Sequence, residues 1–362
     1  RPVKDVIKEI ECMDAKDIEI HKRGVRFNYL LNATCMDNLE ITRKGYFKIR
    51  KMLDWLVDLN VDQVTVSLPF ILQIIKKFYP DLRVTISTQV KVDCLERVKY
   101  WEELGADKIT LSYVDLNRNF LELKRIVENS SCELQLIANL ICRKRCPFLE
   151  LHGNFHSHAS QKQHITKGFG VDYYGLFCLI RTFSNPEEII KSCWIRPEDM
   201  KYYEEIGIKK FKLAERGMTT EALSKIVTAY TNRYYHGNFI DLLPTMSKYV
   251  YINQPNVIQM VKSFFHPDKI NIFKLFGIYR LFNELKGKAD YYEGLGVYID
   301  NNKLDGLIEH FMKNNCHTKS CDECNFCRKI SKQIVNQSEK RLKCIDDLSV
   351  LMNQLISGEL FS

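Results

Sequence analysis

Six cysteines in two groups carry the densest chemistry in this chain. Cys316, Cys321, Cys324 and Cys327 follow the order C-x4-C-x2-C-x2-C, and Cys142 and Cys146 sit in mid-chain against Pro147. Thiolates two to four residues apart can wrap one metal centre without straining the backbone. Two consecutive two-residue spacings favour a cube-shaped iron-sulfur cluster at the C-terminal group. Structural zinc sites more often separate two C-x2-C pairs by a longer loop, so zinc is the alternative there. A radical-SAM arrangement is excluded around Cys142, because C-x3-C-x2-C would need a thiol where Leu149 stands.

The 13 cysteines among 362 residues do not suit a disulfide framework, which belongs to short secreted domains that cannot build a core. With 45% hydrophobic residues this chain can build one. No basic segment followed by an apolar stretch opens the sequence, and no apolar run of about 18 residues could span a bilayer. The expectation is a cytoplasmic protein with reduced thiols available to metal. Because the first residue is Arg1, the sequence reads as starting after the natural N-terminus. A net charge of +8 permits an RNA partner without requiring one. The short clusters Arg143-Lys144-Arg145 and Lys209-Lys210 with Lys212 read as solvated faces.

From Val25 to about Tyr235, short β-branched or aromatic runs alternate with helical patterns, which implies a parallel sheet covered by helices. Strands are expected over 25–31, 63–68, 83–87, 108–112, 133–138 and 210–213. Helices are expected over 44–59, 72–79, 93–104, 117–129, 197–206 and 219–234. "EELGADKITLS" and "EEIGIKKFKLAE" are two copies of one helix-Gly-strand junction, with Gly105 and Gly207 closing the helices. Six or seven such units, without a Gly-rich phosphate fingerprint after the first strand, fit a TIM-like (β/α) barrel, complete or not, better than a doubly wound sheet. The barrel domain is placed at 1–237. A mostly helical, cysteine-rich extension follows at 238–362, with one terminal helix over 329–355.

In such a barrel chemistry is done just after each strand. Those positions hold Asn32 and Cys35, Ser87-Thr88-Gln89, Asp115 with Arg118, Asn139 with Cys142 and Cys146, and Glu215-Arg216. Arg216 is suited to gripping a carboxylate or phosphate bidentately, and Arg118 is a weaker candidate for the same role. Cys178 or Cys193 can supply a third thiolate to Cys142 and Cys146, and Cys35 a fourth. Cys12, Cys94, Cys132 and Cys344 read as packing residues. His152, His156 and His158 follow the central cysteines. Imidazoles four apart can share a metal on a helix, move protons or bind an anion, but Gly153 and the polar composition argue against a regular helix there. Glu198 reads as part of a capped helix with an ordinary ion pair.

The succession "VRFNYLLNATC", "VTVSLPFILQIIKKFYPDLRVTISTQV", "ELGADKITLS", "ELQLIANLICRKRCP" and "IRPEDMKYYEEIGIKKFKLAERG" resembles the barrel of the collagenase-like peptidase family, the group catalogued as U thirty-two. The tail with "CDECNFC" is similar to that of an uncharacterised bacterial branch of it. Several members resemble oxygen-independent hydroxylases that hold a 4Fe-4S cluster by four cysteines and modify ubiquinone precursors, transfer RNA or ribosomal RNA, some with prephenate as hydroxyl source. The resemblance matches Cys142 and Cys146 to their cysteine pair and Cys35 and Cys178 to the remaining ligands. The chain departs from the family signature in having C-x3-C-P in place of a longer glycine-containing spacing. The function expected is an iron-sulfur enzyme for hydroxylation or other redox modification of RNA, a quinone precursor or a peptide, with an electron donor as partner. Substrate would be bound by Arg216, Asn139 and His152 or His156. One alternative is a peptidase of unstructured peptides, although no Ser-His-Asp signature, G-x-S-x-G or H-E-x-x-H is present. The other is a non-catalytic zinc- or RNA-binding protein.

Overall fold

Six short runs with β-branched or large apolar residues at alternate positions form one all-parallel sheet. They are β1 (Asn28–Leu31), β2 (Gln63–Val66), β3 (Arg83–Ile86), β4 (Lys108–Thr110), β5 (Glu133–Ile137) and β6 (Lys210–Lys212), each paired with the next in chain order. The structure, a computed structural model, describes residues 21–161, 164–166, 170–214, 219–243, 269–271, 273–274, 297–314, 316, 320–337 and 339–362. Among the described strands β6 does not pair back to β1, so the sheet is a half-barrel: an incomplete TIM-like barrel, as the alternation of elements implies.

The helices that return the chain are α1 (Arg43–Asp58), α2 (Pro69–Phe78), α3 (Leu95–Glu103), α4 (Tyr113–Leu116), α5 (Phe120–Asn129), α6 (Leu149–Ala159), α7 (Tyr173–Ser184), α8 (Glu187–Lys191), α9 (Met200–Glu205) and α10 (Thr220–Asn232). Side chains of a strand alternate between faces. One face carries Val64, Val66, Val84, Ile86, Ile109 and Leu136, all fully buried against Leu53, Leu56, Leu72, Ile75, Val98, Leu123 and Ile126. Each such side chain contributes roughly 1.5–3 kcal/mol on leaving water. The register sets Thr65 beside Thr85, Thr85 beside Lys108 and Thr110 beside Gln135 on the opposite face. Thr65, Thr85 and Thr110 are buried there. That face is polar, which is unusual for a parallel sheet, whose strands commonly read as continuous apolar runs.

The two helix-Gly-strand junctions close as expected, with Gly105 at φ +95° and Gly207 at φ +103°, a region that favours glycine. A Cβ on Gly207 would stand 2.7 Å from Val127 Cγ1. The predicted strands are all present, each shortened at one or both ends. The predicted 117–129 helix starts later, α5 opening at an Asn119 cap whose Oδ1 accepts from the Glu122 N–H at 3.4 Å, and the short α4 precedes it. Residues 152–158, judged too irregular for a helix, lie within α6. Gly153 is accommodated there because its Cα packs against Gln89, whose Oε1 would meet a Cβ at 2.7 Å.

The extension folds back on the half-barrel. It comprises β7 (Tyr298–Ile299), α11 (Leu307–Lys313), α12 (Cys321–Cys324), α13 (Phe326–Ile334), β8 (Val335–Asn336) and α14 (Lys340–Ile356). The single terminal helix expected over 329–355 is interrupted, because Val335 and Asn336 turn extended to pair antiparallel with Ile299 and Tyr298. Arg196, 3% exposed, joins the two parts. Its Nε and Nη2 donate to Asp199 at 3.0 and 2.8 Å, and its Nη1 donates to the Asn301 carbonyl and to Asp305 Oδ1, both at 2.9 Å. Glu198 accepts from the Tyr235 N–H at 2.7 Å and from Asn301 Nδ2 at 2.8 Å, a structural role, though made by hydrogen bonds to neutral donors where an ion pair was expected. Among the described residues no helix is long and apolar enough to cross a membrane.

Candidate metal centre at the open end of the half-barrel

The loop leaving β5 positions the first two thiols. Asn139 is fully buried, and its carboxamide accepts from the Ala214 N–H at 2.7 Å and donates to the Ala214 carbonyl at 3.1 Å. It therefore clamps the ends of β5 and β6, with both ends of the amide engaged, where substrate contact had been expected. The Arg145 N–H then donates to the Val114 carbonyl at 3.1 Å, which lays Cys142 and Cys146 over α4. Their sulfurs are hydrogen-bonded to each other. The Cys142 thiol as donor favours a thiolate on Cys146 and is itself held protonated, by that bond and by burial. The Tyr113 hydroxyl also bonds Cys142.

Two further thiols face this pair. Cys178 on α7 is pushed up to about 11, by burial first and then by the Cys146 charge. Cys193, fully enclosed, is pushed up to about 12 by burial, and its Sγ lies 3.5 Å from the Cys142 carbonyl and 3.6 Å from that of Val114. Asn117, fully buried, holds the segment around Cys193 in place by donating to the Cys193 carbonyl at 2.6 Å and the Ile137 carbonyl at 2.8 Å. Cys35 stands elsewhere, beside Asp37 and His158. Cys193 occupies the position beside Cys142 for which Cys35 was the first candidate.

The C-terminal cysteines close over the same rim. A small pocket of about 30 Å³ is lined by Cys193, Cys316, Cys321 and Cys327 together with Arg118, Lys144 and Lys191. Cys327 is pushed up to about 11 and Cys316 up as well, both by burial, while Arg118 acts against burial at each and Lys144 does so at Cys316. Cys324 Sγ lies 4.0 Å from His310 Nε2. Arg118 is 9% exposed and lies between Trp194 and Phe311, its Cζ 4.6 and 4.5 Å from their ring centres. Its Nη1 donates to the Ile190 carbonyl, whereas its buried Nε and Nη2 find no hydrogen-bond partner among the described residues. Lys144 donates to the Cys316 carbonyl, and Arg143 Nε donates to Glu188 at 3.2 Å. The basic run read as a solvated face is thus turned inward except at Arg145.

The His152 and His156 rings lie 4.4 Å apart, tilted by 35°, on one side of α6, with Nε2 atoms 3.0 and 4.0 Å from Asp172 Oδ2. Burial would raise the Asp172 carboxyl, but bonds from His152 and the Gly175 N–H outweigh it and hold it low. Arg216 lies outside the described residues, as does Glu215. Reading the sequence missed Asp172, Lys144, Lys191 and Tyr113. Asp172 carried the one available signal, an N-cap position before the helix that bears Cys178.

A parallel half-barrel with two thiol groups at the carboxyl end of its strands defines the class. The profile of peptidase family U32 matches residues 10–142. The uncharacterized protease MJ1657 of Methanocaldococcus jannaschii is 30% identical over 312 residues, which cover 86% of this chain and 78% of that protein. The chain belongs to peptidase family U32. It is also similar to the U32 peptidase Mk0906, at 31% identity and a TM-score of 0.43 over 58% of this chain and 76% of that one.

Proposed function

We propose that this chain is an iron-sulfur enzyme of the U32 family that carries out a redox modification of its substrate, oxygen-independent hydroxylation being the form the family resemblance suggests. The observation that supports this reading is one pocket lined by Cys193, Cys316, Cys321 and Cys327 together with Arg118, Lys144 and Lys191, with Cys146, Cys178 and Cys193 all near enough to Cys142 to influence its thiol. The fit rests on donor chemistry and on Arg118. Thiolates around an iron-sulfur core leave net negative charge, and a buried guanidinium with two unpartnered N–H groups suits such a neighbour. Bound by the central thiols, a 4Fe-4S cluster would supply electrons or a Lewis-acidic iron. Arg118, Lys144 and Lys191 offset its charge. His152, oriented by Asp172, can hold or deliver a proton next to Cys146. RNA, a quinone precursor and a peptide remain the candidate substrates, with prephenate as candidate co-substrate.

The test is an iron and sulfide count on anaerobically purified protein and on Cys142→Ala and Cys324→Ala variants. Each variant should lose about four irons and part of the visible absorbance while keeping the other centre. A colourless protein that holds only zinc would sink the reading.

A second reading, thiol peptidase, is favoured by one observation: Cys146 is driven toward the thiolate by Cys142, with Arg143 and His152 adding positive field, and His152 is oriented by Asp172. It requires peptide cleavage that survives chelation and disappears on alkylation of Cys146.

A further inference from the structure

Cys35 lies on the loop leaving β1, and that loop is fixed to α6. The Thr34 N–H donates to Ser157 Oγ at 2.9 Å, Thr34 Oγ1 donates to Asn154 Oδ1 at 2.6 Å, and Gln161 Nε2 donates to the Cys35 carbonyl at 2.6 Å. Asp37 and Asn38 both take positive φ, 55° and 59°, a conformation uncommon for non-glycine residues and one that turns the Asp37 carboxylate back toward Cys35. As a result the Cys35 sulfur, an Asp37 oxygen and a His158 ring nitrogen all lie within 4.8 Å of one another. Cys35 Sγ is 4.0 Å and His158 Nε2 3.4 Å from Asp37 Oδ1, and His164 Nε2 is 3.6 Å from Asp37 Oδ2. The His158 and His164 rings stack at 4.2 Å, nearly parallel.

Two features distinguish this group from a surface ion pair. Among the described residues buried His158 Nε2 has no hydrogen-bond partner, so the ring nitrogen nearest the carboxylate is left unsatisfied there. An ion-paired reading would also need two stacked imidazoles to be protonated together, whereas metal ligation uses them neutral. Ligand bonds of about 2.0–2.3 Å in a tetrahedral zinc site put donor atoms roughly 3.3–3.8 Å apart, and Asp37 Oδ1 stands 3.4 Å from His158 Nε2 and 4.0 Å from Cys35 Sγ.

We propose that Cys35, Asp37 and His158 bind a divalent transition-metal ion, zinc by donor type, at a site separate from the thiol groups, with His164 stacked against His158 beside it. A mixed sulfur, nitrogen and oxygen set suits zinc, while a thiol-only set suits iron-sulfur. The ion joins the β1 loop to α6 and so fixes one wall of the rim.

Zinc and iron are counted together on the full chain purified anaerobically, for the wild type and for Cys35→Ser and His158→Ala. About one zinc per chain should be present, and lost from both variants, with iron content and visible absorbance unchanged. Reconstitution with cobalt(II) alone should give a sulfur-to-cobalt charge-transfer band in the wild type that is absent from Cys35→Ser. Should His158→Ala fail to fold, Cys35→Ser decides by itself, since it replaces the thiol atom for atom. Zinc retained in Cys35→Ser, iron lost from it, or cobalt bound without a thiolate band would each overturn the site.

Discussion

At the scale of single residues, Arg118 is the most informative side chain. A guanidinium stacked between Trp194 and Phe311, with two N–H groups unpartnered beside Cys193, Cys316 and Cys327, stabilises whatever negative charge occupies the pocket. One-electron reduction of a cluster adds a negative charge, so the neighbouring cation favours the reduced form. If the proposed cluster is bound there, Arg118→Gln should lower its midpoint potential by roughly tens of millivolts, and Arg118→Lys should restore most of it. A redox titration followed by visible absorbance checks both, and equal potentials in all three proteins would show that Arg118 serves packing alone. The sequence made Cys142 and Cys146 legible because they are close in the chain. Cys193 and Asp172 were not separable from their rivals, since their place beside those thiols depends on the Asn117 clamp and on where α7 begins. Cys35 was no easier to place: its sulfur stands beside Asp37 and His158 of α6, and nothing in local spacing reports that.

Elements were easier to read, because a strand needs only a short run of suitable residues whereas a site needs several elements in register. β-Branched runs and Gly105 and Gly207 marked every strand of the half-barrel. The errors fell where tertiary contact overrode local preference, as at Gly153 in α6 and at the 335–336 break. The α5–β5 turn shows the kind of contact involved. Glu102, at the end of α3, accepts from Ser130 Oγ at 2.7 Å and from the Ser131 and Cys132 N–H groups at 2.6 and 3.0 Å, and Lys99 Nζ donates to it at 2.8 Å. Burial pushes its carboxyl up, but these donors outweigh burial and hold it down at about 2. A folded value below the unfolded one means that this stability is present above the ordinary glutamate range, near 4.5, and is lost as pH falls toward 2. Glu102→Gln should cost about 1–3 kcal/mol at neutral pH and flatten the decline between those two values. Urea unfolding at a series of pH values measures it; an unchanged acid limb in the variant would remove Glu102 from the account.

On the scale of the whole molecule, the half-barrel and the extension meet at Arg196, and through it the two thiol groups are held at one rim. Arg196 leaves the segment that carries Cys193, and its bonds to Asn301 and Asp305 fix the stretch leading to α11 and Cys316. Asp199 is 2% exposed, and burial already raises its carboxyl even with Arg196 beside it. Removing the guanidinium therefore leaves a buried carboxylate without its partner, which costs more than the pair contributes when intact. Arg196→Ala should lose about 3–5 kcal/mol, and Arg196→Lys somewhat less, because an ammonium cannot span Asp199, Asn301 and Asp305 with a planar fork. The loss should not be uniform. Among the described residues the hydrogen bonds of Arg196 go to Asp199, Asn301 and Asp305 and none to β2, β3 or β4, so the extension should loosen first, with cleavage by a dilute protease appearing near residues 297–316 before the half-barrel is cut. If the extension holds the second metal centre, iron bound at Cys316 to Cys327 should fall in Arg196→Ala while iron at Cys142 and Cys146 is retained. Protease mapping and an iron count on the same preparation test this together, and simultaneous loss of both centres would mean that the rim is a single cooperative unit with no separable C-terminal lid.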